Sequence, residues 1–237
     1  MDLKQFNETL NNCVKPGTFP VAIKLLRSES EVPEKVRRPV KDLGYQVALC
    51  QAIGLARRHG WTLLVGNEDQ CCMGGATTMG FSVESPKVSA LPAEGQDKSL
   101  NRDEYKYMLC APLHATGFDP DLIAIYLDPA QANRLVQAIV TGTGRQVAAF
   151  APGFVDCGDV IARTFKYGEC LFILASGGDR VYGSAQDHEV IVTIPASRIE
   201  AVIKGLDDTQ KMGMRYPVAS EIKHRPALAP FLEIPRK

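Results

Sequence analysis

The residues best suited to chemistry in this chain are its seven cysteines and two paired-glycine stretches. Cys71-Cys72-Met73-Gly74-Gly75 and Cys157-Gly158-Asp159 each set a thiol just after an expected strand and just before a glycine turn or helix. The free N–H groups and positive dipole end of a helix N-terminus stabilise a thiolate there, the form that binds metal or attacks carbon. Neighbouring glycine lets a cluster or ligand approach the backbone. No C-x-x-C run occurs, so neither a ferredoxin-type cluster nor a ribbon-type zinc site is expected. A metal site here must draw its ligands from distant segments. Cys50, Cys71 or Cys72, and Cys157 are the preferred donors, with Cys170 or an outside ligand as the fourth. Cys13 and Cys110 read as small buried hydrophobes.

The second candidate is Ser176-Gly177-Gly178-Asp179-Arg180. Two glycines after an apolar strand expose backbone N–H groups that cradle an anion. Arg180 would clamp a carboxylate or phosphate, and Asp179 would hold that arginine in place. With Gly74 and Gly75, this turn would also serve a non-catalytic module that grips an anionic small molecule. Neither stretch matches G-x-G-x-x-G or a phosphate loop, so nucleotide binding is not expected. No Ser/His/Asp grouping announces itself around the four histidines.

These residues need elements to position them. Leu3, Phe6, Leu10 and Val14 fall at helical spacing, predicting a helix over 2–14. Val21 to Leu26 reads as a buried strand, Tyr45 to His59 as a helix stopped by Gly60, and Trp61 to Val65 as a strand. Residues 82–102 read as a long loop or flap. Leu122 to Leu127 is an expected strand, and Pro129 to Val140 a helix opened by its proline. Strands are expected at 146–150, 170–175 and 189–194, and helices at 158–165 and 195–206. The proline-bearing tail after Met212 is expected to wrap the surface.

Composition narrows the classes further. With 237 residues and 45% hydrophobic side chains, the chain is able to bury a proper core, which excludes disorder. Its 27 basic and 27 acidic residues cancel, which argues against a nucleic-acid binder. No apolar run approaches the roughly 20 residues that span a bilayer. The polar start carries no signal pattern, so a cytoplasmic protein with reduced thiols is expected.

An internal echo bears on the fold. Gln51-Ala52-Ile53 precedes Cys71 at the same spacing at which Gln137-Ala138-Ile139 precedes Cys157. Each triplet follows an Ala-Ile-x-Leu strand, and each cysteine precedes Lys-Tyr-x-x-Cys. The expectation is a single α/β domain built from a duplicated βαβ-like unit. The copies would span about 20–115 and 122–176, related by a pseudo-twofold axis with a cleft between them. A strand, helix and tail would follow over 188–237. Cys71 or Cys72 would then match Cys157, and Cys110 would match Cys170.

The runs PVAIKLL, YQVALCQAIGLARRHG, CCMGGATTMGF and LDPAQANRLVQAIVTGTG, followed by a cysteine and ASGGDR, resemble the DUF169 family of prokaryotic proteins, widespread in anaerobes. The likeness spans about 15–210. It implies a cytoplasmic prokaryotic protein of one duplicated domain, with cysteine positions at Cys50, Cys71 or Cys72, and Cys157. Oxygen-poor hosts favour an iron–sulfur or other thiolate-bound centre. The expected function is therefore a cysteine-ligated iron–sulfur or metal protein acting on a small molecule or redox partner. The alternatives are the anion-binding module and a metal-free thiol enzyme with Cys71 or Cys157 as nucleophile.

Overall fold

A computed structural model describes residues 2–81, 100–150 and 155–218. Residues 82–99 of the flap expected over 82–102, and most of the proline-bearing tail, lie outside them. The elements, in chain order, are α1 (Leu3–Cys13), β1 (Val21–Leu26), α2 (Leu49–His59), β2 (Leu63–Gly66), α3 (Met73–Thr78) and β3 (Tyr107–Pro112). They continue with β4 (Leu122–Leu127), α4 (Pro129–Thr143), β5 (Ala148–Phe150), α5 (Asp156–Tyr167), β6 (Leu171–Leu174), α6 (Gly177–Tyr182), β7 (Val190–Pro195) and α7 (Ile199–Lys211).

All seven strands join one sheet in the order β2-β3-β1-β4-β7-β6-β5. Alternating strands and helices suggest parallel crossovers, yet only β5 and β6 pair in parallel. Every other neighbour runs antiparallel. The fold is mixed α/β, and the expectation of βαβ-like units gives way to this pairing. Only β5-α5-β6 forms a parallel crossover, while β3 and β7 pair antiparallel with the strand that precedes each.

The register carries a pattern. Val21 opens β1 opposite Pro112, and Leu122 opens β4 opposite Pro195. Leu63 opens β2 opposite Cys110, and Leu171 opens β6 opposite Thr193. Each of those prolines leads directly into a short 3-10 turn, over Leu113–Ala115 and Ala196–Arg198. The first residue of each turn donates its N–H to the carbonyl just before a strand: Leu113 to Pro20 at 2.7 Å, Ala196 to Asp121 at 2.8 Å.

Both faces of the sheet are covered, so β4 and, apart from Lys24, β1 are apolar rather than alternating. Val21, Ile23, Leu25, Leu122, Ala124 and Tyr126 point into one core with α2, α3 and α5. Ala22, Ile123, Ile125 and Leu127 point into the other, beneath α1, α4 and α7. Alternation of successive side chains explains this split. On the second face α4 and α7 cross closely: a methyl on Gly142 would collide with the Ala201 carbonyl, and one on Gly205 with the Ala138 carbonyl.

Candidate functional site

The first face holds a cavity of about 320 Å³. Ala48, Cys50, Cys71, Cys72, Val155, Asp156, Cys157, Ser176, Gly178 and Tyr182 line it. Four cysteines, from segments far apart in sequence, thus share one space. Three local arrangements bring them there.

Cys50 is the second residue of α2 and Cys157 the second residue of α5, so each sits where helix N–H groups lack intrahelical partners. The Cys71 segment is tied to the start of α2 by backbone pairing. Val47 donates its N–H to the Asp69 carbonyl at 2.8 Å, and Cys71 donates to the Val47 carbonyl at 3.1 Å. Cys72 then opens α3, which wedges between the starts of α2 and α5. A methyl on Gly74 would lie 2.8 Å from Val155, and one on Gly75 3.0 Å from Leu49. Gly74 and Gly75 therefore work through packing: they let α3 close on its neighbours, which sets the two vicinal cysteines at the cavity edge.

The thiols differ in exposure. Cys71 is exposed and Cys72 half-buried, whereas Cys50 and Cys157 are buried. Cys50 Sγ donates to the Gly178 carbonyl at 3.7 Å. The hydrogen bond with Cys50, burial and the nearby carboxyls of Asp156 and Asp179 push the Cys157 thiol well above its ordinary pKa. Burial and the neighbouring Cys72 also push Cys71 up. The expected activation by helix N-termini thus gives way to protonated thiols at these two positions. Desolvation and adjacent negative groups outweigh a dipole end, above all at the six-residue α3.

Behind the cavity lies a buried polar chain. Ser176 donates its hydroxyl to Asp156 Oδ1, and the Tyr126 hydroxyl donates to Asp179 Oδ2 at 2.7 Å. Asp156 Oδ2 and Asp179 Oδ1 have no hydrogen-bond partner among the described residues. Burial and the Asp156 carboxyl push Asp179 up to about 8, against the lowering influence of Tyr126 and Arg57. At neutral pH Asp179 is thus mainly a neutral acid, which relieves the repulsion between two buried carboxyls. The Arg57 guanidinium lies 3.9 Å from the Tyr126 ring centroid and pairs with both Glu189 oxygens, at 3.0 and 3.1 Å.

Three sequence expectations come out differently. Ser176 to Arg180 is no open turn: Ser176 caps α6, accepting from the Asp179 N–H at 3.4 Å. Asp179 turns inward to Tyr126 and does not hold Arg180, which instead pairs with Asp187 at 2.9 Å and donates to the Gln186 carbonyl. Arg180 and Gly177 do not line the cavity, whereas Gly178 does. Cys170 packs in the core of the opposite face and lines a separate cavity with Arg145 and Arg198. Cys110 is fully buried in mid-strand, where desolvation pushes it up to about 12.

Sequence reasoning passed over Asp156, Tyr126, Arg57 and Glu189. Arg57 sits on the apolar face of α2, and an arginine on such a face signals a buried partner. Nothing in the sequence pointed to Glu189 as that partner.

The fold and site define an α/β protein with one sheet covered on both faces and a cysteine-lined cavity at two helix starts. The family model of DUF169, described as uncharacterised ArCR, matches residues 9–205, and the chain belongs to that family. Uncharacterized protein MJ0308 of Methanocaldococcus jannaschii is similar, 27% identical over 204 residues, covering 79% of this chain and 86% of that protein. No solved structure matches the chain. No helix among the described residues is long and apolar enough to cross a membrane.

Proposed function

We propose that the cavity is a thiolate site for an iron–sulfur cluster or a soft metal ion, held by Cys50, Cys72 and Cys157 with Cys71 at the rim. The observation that carries this reading is the meeting of four of the seven cysteines around one cavity. Among the described residues no three metal-binding side chains stand close enough to grip a single ion. A polynuclear cluster, whose cysteine ligands stand further apart, asks for less movement. Such a group supplies electron transfer when bound, at a potential set by burial and surrounding hydrogen bonds. The chain's own contribution is to bring the thiols together, shield them from water and take up the protons that leave on ligation. Cys170 is left out of the ligand set, because it lies on the other face.

The raised pKa of Cys71 and Cys157 supports ligation over nucleophilic attack: a bound metal displaces a thiol proton, whereas a free nucleophile needs its thiolate at rest. The anion-binding alternative has less support, since Gly74 and Gly75 serve packing and Arg180 is paired with Asp187. A small-molecule or redox partner and a cytoplasmic setting belong to this proposal.

The same reading includes an internal duplication. One unit is β1-α2-β2-α3-β3, and the other is β4-α5-β6-α6-β7 with α4 and β5 inserted. Matching strand registers, matching proline turns and matching N–H bonds to Pro20 and Asp121 support it. On this reading the second unit runs past residue 176 to Pro195. Cys50, rather than the expected Cys71 or Cys72, then corresponds to Cys157, and Cys72 to Ser176. The test of function is anaerobic production with iron and sulfide. Brown protein carrying stoichiometric iron and acid-labile sulfide is expected; protein that stays colourless and metal-free after reconstitution overturns the reading.

A further inference from the structure

The loop before β1 frames another cavity, of about 380 Å³, built from residues that the proposed metal site does not use. Asn7 and Asn11 of α1, Thr18 of the loop, Arg57 and Arg58 at the end of α2, and His114 of the turn after β3 give it a polar lining. Phe19 adds an apolar wall, its ring packed on His114 with centroids 4.5 Å apart. No carboxylate stands among the described residues that line it.

Charge and hydrogen bonding are both left over there. Arg57 and Arg58 pair with one and the same carboxylate, Glu189, at 3.0 and 3.4 Å. Among the described residues neither has a second acidic partner, so two guanidiniums share one negative charge. Arg57 is fixed: its side chain is fully buried, held by Glu189, the Gly183 carbonyl and the Tyr126 ring. It reaches the cavity through Thr18, donating from Nη1 to the hydroxyl at 3.3 Å. A hydroxyl that accepts a bond keeps its own proton to give, and no described residue takes the Thr18 proton. Arg58 bonds to the Ser184 carbonyl and to Glu189 through Nη2 alone. Its Nη1 and Nε have no partner among the described residues.

We propose that this cavity binds a small organic monocarboxylate that carries a second polar group. The carboxylate sits on the Arg58 guanidinium and the Thr18 hydroxyl, as charge-assisted hydrogen bonds favour. One surplus positive charge matches one carboxylate, whereas a phosphate dianion would leave a charge unmet. Asn7 and Asn11 stand one turn apart on α1 and so share a side of the helix. Each amide both donates and accepts, which suits a hydroxyl or amide on the ligand. The carbon chain between the two ends lies against Phe19. This site stands whether or not the cysteine cavity takes a metal.

The test is calorimetric titration of the full-length protein with 3-hydroxybutyrate, butyrate and inorganic phosphate. Ionic strength is held constant, because salt screens unspecific attraction to surface charge. Saturable binding of 3-hydroxybutyrate is expected, weaker binding of butyrate, and none of phosphate. Arg58→Gln should weaken 3-hydroxybutyrate binding by about tenfold or more. Asn11→Ala, at an exposed position that folding tolerates, should erase the preference over butyrate. Arg180→Gln should change nothing. The proposal is overturned if neither carboxylate saturates, if phosphate binds more tightly, if Arg58→Gln binds as wild type does, or if Arg180→Gln abolishes binding. Iron content of the same preparations reports on the cysteine cavity separately, so either reading can fall alone.

Discussion

Tyr126, the fifth of six residues in the central strand β4, donates its hydroxyl to Asp179, the third residue of α6, across 2.7 Å of buried space. That bond links the centre of the sheet to the wall of the cysteine cavity, and it holds a carboxyl whose protonation differs between the folded and unfolded chain.

The difference predicts a pH dependence. Asp179 titrates near 8 in the fold and near the ordinary carboxylate value of 3.8 when unfolded. Between those values the folded chain keeps a proton that the unfolded chain releases, so stability from this residue falls as pH rises and levels off above about 8. One proton corresponds to a slope of about 1.4 kcal/mol per pH unit at most. Asp179→Asn mimics the neutral acid and should flatten the slope between pH 5 and 8. Urea midpoints of variant and wild type measured across that range decide it; parallel slopes would remove Asp179 from the account.

Glu189 titrates in the opposite sense. Burial pushes it up, but the Arg57 hydrogen bonds, the Gln186 N–H and the Arg57 charge together leave it lowered. Its contribution is therefore present above the unfolded carboxylate range and lost as pH falls through the lowered value. Glu189→Gln strands the Arg57 charge in the core and should cost about 3–5 kcal/mol. Chemical denaturation at neutral pH measures it, and a loss below about 1 kcal/mol would show that the arginine finds other compensation.

Metal uptake should also depend on pH. Ligation expels a proton from Cys157, so apparent affinity should climb as pH rises from 6.5 to 8.5. Proton release into weakly buffered solution during reconstitution reads this directly. Cys157→Ala should lose the iron while Cys170→Ala keeps it. Equal iron in both variants would take Cys157 out of the ligand set.

The crossing of α4 and α7 predicts a packing cost. Gly205→Ala drives a methyl into the Ala138 carbonyl and should destabilise the protein by about 1–3 kcal/mol. A thermal melt indistinguishable from wild type would mean that the helices separate freely.

The parts of this structure legible in the sequence are those governed by local pattern. Leu122–Leu127 and, but for Lys24, Val21–Leu26 are apolar runs because helices cover both sides of the sheet, and both strands lie where the sequence predicts them. Pro129 and Gly144 bracket α4 as start and stop signals do. The six-residue α3 escaped because Gly-Gly-Ala-Thr-Thr is poor helix material, held by packing against Leu49 and Val155. The glycines of Ser176 to Arg180 suggest an open turn, although Ser-x-x-Asp is also a helix-capping pattern. The strand directions were not legible at all, since they depend on pairing between distant segments. Cys170 shows the same limit. It shares its side of the sheet with Phe172, while Leu171 and Ile173 face the cavity side, and only the register of β6 reveals that parity.

The two blocks of the sheet meet along a narrow joint. Only Val21 to Ile23 pair with Leu122 to Ala124, whereas β1 with β3 and β4 with β7 each pair along six residues. A slight swivel about that joint would alter the gap between the first turns of α2 and α5 while leaving either block intact. Whatever bridges Cys50 and Cys157 therefore ties the two blocks across that joint, and it should make them melt together rather than in turn.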